Sequence, residues 1–185
     1  MARLAVIVLV IALSFVLAGC SGKGADKPQV VTTGNAAPSD ADTLYAEGIT
    51  LEKHAGPIGS LNVLKDEAML RMALDKYNQI ISKYPTSDKI DDAAFRMGGI
   101  YEYLKDYTNA VKNYQRTYQW NPDTTTVARF KAAYLLDTQL GRRAEALQIY
   151  QEALSKITKS NEHILWVQYA EQRVKELSGA VKPQE

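Results

Sequence analysis

Residues 94–122, AFRMGGIYEYLKDYTNAVKNYQRTYQWNP, carry the pattern that decides the fold. Gly98 and Ala110 are small, so a helix containing one can approach a helix containing the other closely. Tyr101 and Tyr114 are large enough to fill the space between the two helices. Pro122 stops the second helix, because proline lacks an N–H and restricts the residue before it. The stretch therefore predicts two helices packed as a tight pair.

The same spacing recurs on both sides of this stretch. Upstream, Leu44, Gly48 and Leu51 precede the small residue Ala73 of the second helix. This copy has an insertion at 56–66, and Glu47 stands at a position that is apolar in the pattern. Downstream, Tyr134 replaces the glycine. Terminal copies of a repeat face solvent and diverge from the central one. The markers of the second helices are spaced 37 and 36 residues apart, and they are Ala73-x3-Tyr77, Ala110-x3-Tyr114 and Ala146-x3-Tyr150.

In residues and spacing this pattern resembles the tetratricopeptide repeat, with Ala94 in place of the leading tryptophan. The resemblance implies an all-α fold, a solenoid of about three helix pairs followed by a C-terminal capping helix. The folded domain would span 41–178. The resemblance also assigns repeat-packing roles to Gly48, Ala73, Tyr77, Gly98, Tyr101, Ala110, Tyr114, Ala146 and Tyr150.

Helical periodicity and helix breakers predict seven helices and no sheet, because no stretch shows sustained alternation. The N-caps would be Asp106, Asp123 or Thr124, and Ser160 or Asn161. Gly56 and Gly141 stand where left-handed C-caps are expected. The predicted helices span 41–55, 60–84, 88–104, 108–120, 125–140, 143–157 and 161–178.

The N-terminus predicts a secretory signal with a lipid attachment site. Arg3 precedes a run of thirteen residues, Leu4 to Val16, that are apolar except Ser14. A short apolar run before a small-residue cleavage site is typical of signal peptides, whereas a membrane span needs about twenty apolar residues. Leu17-Ala18-Gly19-Cys20 resembles a bacterial lipobox, which implies cleavage before Cys20 and acylation of that residue, the only cysteine in the chain.

This assignment divides the chain into four parts. A signal peptide covers 1–19, the lipidated cysteine and a flexible tether cover 20–40, the helical domain covers 41–178, and a disordered tail covers 179–185. The tether is small, polar and dotted with proline, a composition that cannot bury enough apolar surface to offset ordering.

Charge and composition argue against several classes of function. Cleavage would leave 21 basic and 21 acidic side chains, so no basic field is available for nucleic acid. Neither His54 nor His163 lies in a metal-binding or acid–base motif, and the Asp91-Asp92 pair suits a solvated helix start. We therefore expect no enzyme activity, no catalytic residue, no cofactor and no metal, with membrane contact made only through the lipid anchor.

The first helix of each pair is the expected partner-binding element. In tetratricopeptide proteins these helices line a groove that holds peptides or partner segments, and aromatic side chains there suit recognition. The alternative role for those aromatics is cover for a neighbouring helix or the insertion 56–66. Mapped by position, the groove would include Tyr45, Ile49, Glu52, Phe95, Glu102, Tyr103, Lys131 and Leu135.

Residues 80–110 also resemble the repeats of bacterial envelope lipoproteins. They are similar to the tetratricopeptide lipoprotein of the outer-membrane β-barrel assembly machinery and to the periplasmic repeat protein of the Tol–Pal system. This implies a scaffold facing the periplasm, whose partners are envelope proteins or peptide segments of an assembly, pilus, secretion or Tol–Pal complex. Ser21 implies the outer membrane, with inner-membrane retention left open. The alternative function is an accessory or glycan-binding lipoprotein of an envelope enzyme.

Overall fold

The computed structural model describes residues 39–56, 66–124, 127–156 and 163–180, and these ranges contain seven helices and no strand. The predicted all-α class is therefore confirmed. The predicted signal peptide, Cys20 and the predicted tether up to residue 38 lie outside the described residues. The helices are α1 (Asp40–His54), α2 (Glu67–Lys83), α3 (Ile90–Tyr103), α4 (Tyr107–Trp120), α5 (Ala128–Thr138), α6 (Arg143–Lys156) and α7 (Ile164–Ala180).

The helices stack in chain order. Helices α1 and α2, α3 and α4, and α5 and α6 form three closely packed pairs, and the first helix of each later pair packs on the second helix before it. Helix α7 packs on α6 in the position of a further first helix. This is the expected solenoid of about three pairs with a C-terminal capping helix.

Each second helix carries a tyrosine into the core. Tyr77, Tyr114 and Tyr150 have no exposed surface, and neither do Ala73, Ala110 and Ala146 one turn earlier. In the first two pairs the tyrosine ring lies against a glycine of the partner helix. A Cβ built on Gly48 would be 2.5 Å from the Tyr77 ring, and one built on Gly98 would be 2.6 Å from the Tyr114 ring. Tyr101 is half-buried and packs against both core clusters.

Several helix ends follow local signals in the sequence. Gly56 and Gly141 have φ values of 105° and 66°, as predicted for left-handed caps. The predicted cap Asp106 accepts a hydrogen bond from the Asn109 N–H at 3.2 Å. Helix α2 ends at Lys83, and Tyr84 before Pro85 is not helical.

Three predicted boundaries were wrong. Helix α2 does not run continuously from residue 60, because Asp66 has extended backbone and caps the helix, accepting from the N–H groups of Ala68 and Met69. Helix α5 starts at Ala128 with no side-chain cap, so neither Asp123 nor Thr124 is its N-cap. Helix α7 runs to Ala180, into the segment 179–185 expected to be a tail. The predicted caps Ser160 and Asn161 lie outside the described residues.

Candidate functional site

The surface that the first helices of the pairs present is here called the first-helix face. It is formed by α1, α3, α5 and α7, and its side chains are mostly half-buried, so the rings and charged groups are both packed and reachable from solvent. The predicted groove residues on this face are Tyr45, Ile49, Glu52, Phe95, Glu102, Tyr103 and Lys131.

The first pair holds a buried carboxylate between a tyrosine and a cation. The Tyr77 hydroxyl of α2 donates to Glu52 Oε1 at 2.5 Å, and Arg96 Nη1 of α3 lies 3.8 Å from Glu52 Oε2. The Glu52 side chain is 7% exposed, whereas that of Arg96 is 42% exposed. The Tyr45 ring packs on Tyr77 with the centroids 5.8 Å apart. The carboxylate is therefore hidden, and the cation stands at the surface.

The second pair repeats this arrangement one step along the solenoid. The Tyr114 hydroxyl of α4 donates to Glu102 Oε2 at 2.6 Å, and Lys131 Nζ of α5 donates to the same oxygen at 2.9 Å. The Lys131 ammonium also lies 5.4 Å from the centroid of the Tyr114 ring, a cation–π distance. Phe95 packs beside that ring with the centroids 5.7 Å apart.

A four-residue spacing in the sequence produces both arrangements. Glu52 follows Gly48, and Glu102 follows Gly98, each by four residues, so carboxylate and glycine share one face of the helix. The glycine lets the tyrosine ring lie against the helix, and the ring then presents its hydroxyl one turn further on. We call each set a tyrosine–glutamate–base triad: Tyr77, Glu52 and Arg96 in one, Tyr114, Glu102 and Lys131 in the other.

The surroundings keep the triad tyrosines protonated. Burial, followed by the hydrogen bond to Glu52, raises the pKa of Tyr77 above its usual range. Burial and the nearby charge of Glu102 raise the pKa of Tyr114 in the same direction. Both hydroxyls therefore remain donors to their carboxylates through neutral pH and well into alkaline conditions.

The third pair is linked to the next helix by different side chains. Tyr134 and Thr138 occupy the glycine and glutamate positions of α5, and Tyr150 makes no hydrogen bond to a carboxylate within the described chain. Helices α5 and α7 are joined instead by Arg173, whose Nε and Nη2 donate to the two oxygens of Asp137 at 2.7 and 2.9 Å. Aromatic contacts reinforce this junction; they are Phe130 with Trp166, Tyr134 with Trp166, and Tyr134 with Tyr169.

One predicted groove residue does not belong to this surface. Leu135 is 1% exposed and lies in the core between α5 and its neighbours, because it falls on the buried side of the helix. Phe95 and Tyr103 are half-buried and pack against the core with part of each ring at the surface.

The sequence interpretation missed four members of the face: Arg96, Tyr134, Trp166 and Tyr169. Tyr134 was identified only as a departure from the repeat, and α7 was interpreted only as a cap. A signal for the carboxylates was present, since glycine followed by glutamate four residues later occurs in both of the first two pairs. That spacing indicates a hydrogen-bond acceptor one turn from the ring contact.

The chemistry offered by the face is recognition through aromatic surface and paired charge. The carboxylates Glu52, Glu102 and Asp137 each have a cation on the next first helix, so their charges are largely balanced. Within the described ranges, no group of three or more histidine, cysteine, aspartate or glutamate side chains is placed to hold a metal ion. No helix in those ranges has both the length and the apolar character needed to cross a membrane.

Comparison with known families identifies one repeat unit. Residues 91–124, which contain α3 and α4, match the tetratricopeptide repeat. The chain therefore contains a tetratricopeptide repeat, and its all-α fold is a solenoid of the tetratricopeptide type. Repeats of this kind are typical of non-catalytic scaffolds that bind other proteins. Comparison with curated proteins and with solved structures gave no match.

Proposed function

We propose that the chain is a scaffold that docks segments of other envelope proteins on its first-helix face, held at the outer membrane by lipid on Cys20 and facing the periplasm. The observation that supports docking most directly is the repetition of partly exposed aromatic rings along consecutive first helices. Tyr45 of α1, Phe95 and Tyr103 of α3, and Tyr134 of α5 are all half-buried. Rigid rings at a surface offer large contact area and lose few torsions on binding.

The electrostatics of the face favour a partner segment that is mainly apolar. The carboxylates Glu52, Glu102 and Asp137 are each paired with a base from the next first helix. A strongly charged segment would have to break these pairs, whereas aliphatic or aromatic side chains can pack between the bases without doing so. Capture of the partner should therefore depend only weakly on salt.

The groove is tested by the substitution Phe95→Ala. Loss of this ring is expected to weaken partner capture by about 1–3 kcal/mol, because a rigid aromatic contact is removed from the face. The measurement is quantitative crosslinked pull-down of the lipidated protein from its own membranes, with the urea midpoint of each variant measured alongside.

Tyr118→Ala is the matched control for that experiment. Tyr118 is a half-buried aromatic on the second helix α4, and it packs under the Arg129 guanidinium. It should lose stability without losing capture. Equal loss of capture in both variants would argue against the groove, and recovery of a saccharide instead of a protein would favour the glycan-binding alternative.

The anchor is tested by the intact mass of the membrane-extracted protein. We expect loss of residues 1–19 and addition of acyl chains on Cys20, because the Leu17–Cys20 sequence resembles a lipobox. Two or three chains give stable anchoring, where a single chain is marginal. Cys20→Ala should remain unacylated. A soluble, cleaved wild-type protein with unmodified Cys20 would refute the anchor while leaving the groove untouched.

A further inference from the structure

We propose that Glu52 and Glu102 are positioning residues that set the separation of neighbouring first helices and thereby hold Arg96 and Lys131 in place on the first-helix face. Each carboxylate has one contact inside its own helix pair and one to the next pair. The consequence for partner binding rests on the proposed function, but the separation of the helices is a property of the chain alone.

The packing of the solenoid leaves this task to side chains. Extensive contacts join helices that are consecutive in the chain, and none of comparable extent joins one described first helix to the next. On the first-helix face, α1 and α3 are linked by the Glu52–Arg96 ion pair, and α3 and α5 by the Glu102–Lys131 hydrogen bond. These links cross the face on which a partner would lie.

Burial of the triad tyrosines makes the carboxylates suitable for fixing a position. Tyr77 and Tyr114 have no exposed surface, and their rings are held against Gly48 and Gly98. Because each ring is fixed, its hydroxyl fixes the glutamate that accepts from it. Lys131 is held from two directions, by Glu102 and by the face of the Tyr114 ring. A charge-assisted hydrogen bond between two ordered groups has a narrow range of geometries.

The third pair provides an internal contrast. Tyr134 and Thr138 stand where α3 has glycine and glutamate, so α5 has no carboxylate that joins Tyr150 to the next first helix. The link between α5 and α7 is made instead by Asp137 and Arg173. The link between first helices is thus kept at every junction, although the residues that form it change. This persistence favours a role in spacing over an incidental surface pair.

The test measures the distance between α1 and α5 in the full chain. Spin labels are introduced as unnatural amino acids at Lys53 and Thr138, two exposed sites on those helices, so that Cys20 is retained. Glu102→Gln keeps an oxygen for the Tyr114 hydroxyl and removes the charge that attracts Lys131. We expect the distance distribution to become wider and shift to longer values, with Lys131→Met giving the same change and the double variant no further change.

Glu67→Gln is the matched control, because Glu67 pairs with Arg71 within α2 and both side chains are exposed. It should leave the distribution unchanged. If Glu102→Gln lowers the urea midpoint but leaves the distribution of the folded protein unaltered, Glu102 only stabilises the fold and the proposal is wrong. If the distribution widens and partner capture is unaffected, the positioning role stands and the groove function fails. If Phe95→Ala abolishes capture and Glu102→Gln changes neither spacing nor capture, the groove function stands and the positioning role is wrong.

Discussion

Replacing Gly98 with alanine is expected to destabilise the fold by about 1–3 kcal/mol, although alanine is the better helix former. The new Cβ would lie 2.6 Å from two carbons of the Tyr114 ring, closer than carbon atoms pack. The ring cannot move aside easily, because it is fully buried and its hydroxyl is bonded to Glu102. Leucine at the same position should cost more, since a larger side chain meets the same ring.

Gly99→Ala is the control in the adjacent position. Its Cβ would meet nothing nearer than the Tyr114 hydroxyl at 3.8 Å, an ordinary contact. This substitution should be neutral or stabilise the helix by up to about 1 kcal/mol. Urea unfolding followed by circular dichroism measures both. Equal stability of the two variants would show that the ring contact does not require glycine, and the packing scheme of the repeat would have to be revised.

The agreement at Gly98 shows which part of the fold is local enough to be predicted. A small residue, a tyrosine sixteen residues later and a proline beyond the second helix describe one helix pair, and the same pair recurs with similar spacing. Helix boundaries were harder to predict where competing local signals exist. The segment before Asp66 lacks a helix breaker near the cap, yet the aspartate side chain takes the free N–H groups and begins the helix at Glu67. At the start of α5 no side chain caps the helix, and the Arg129 guanidinium donates to the Pro122 carbonyl oxygen at 2.9 Å.

The positions of the candidate residues on the first helices were predictable, whereas the contacts between those helices were not. Phe95, Glu102 and Lys131 lie on the predicted face, because their positions follow from the phase of each first helix. Leu135 was misplaced by a small error in that phase, which is enough to turn a side chain from surface to core. Arg96 was overlooked because a lone arginine on a helix is usually solvated. Its partner Glu52 belongs to the preceding helix pair, so only the stacking of the pairs brings the two together.

The last junction of the solenoid is expected to be the most sensitive to loss of one charged group. Arg173→Met keeps an apolar stem but leaves Asp137, whose side chain is 1% exposed, without its cation. A buried charge that loses its partner costs about 3–5 kcal/mol, and we expect about 3 because Arg173 itself is 24% exposed. Arg71→Met, which breaks an exposed pair within α2, should change stability by no more than about 0.5 kcal/mol.

The loss should begin in α7, because Arg173 is the charged link between that helix and α5, while Trp166 and Tyr169 supply the aromatic contacts. Amide hydrogen exchange should therefore accelerate first over 164–180 and only later in α3 and α4. The double variant Asp137→Leu with Arg173→Met should recover much of the lost stability, since a buried pair replaced by apolar groups leaves no unpaired charge. If Arg173→Met unfolds no more readily than Arg71→Met, the aromatic contacts alone hold α7. The first-helix face would then end in a helix fixed by packing, in contrast to the two junctions before it.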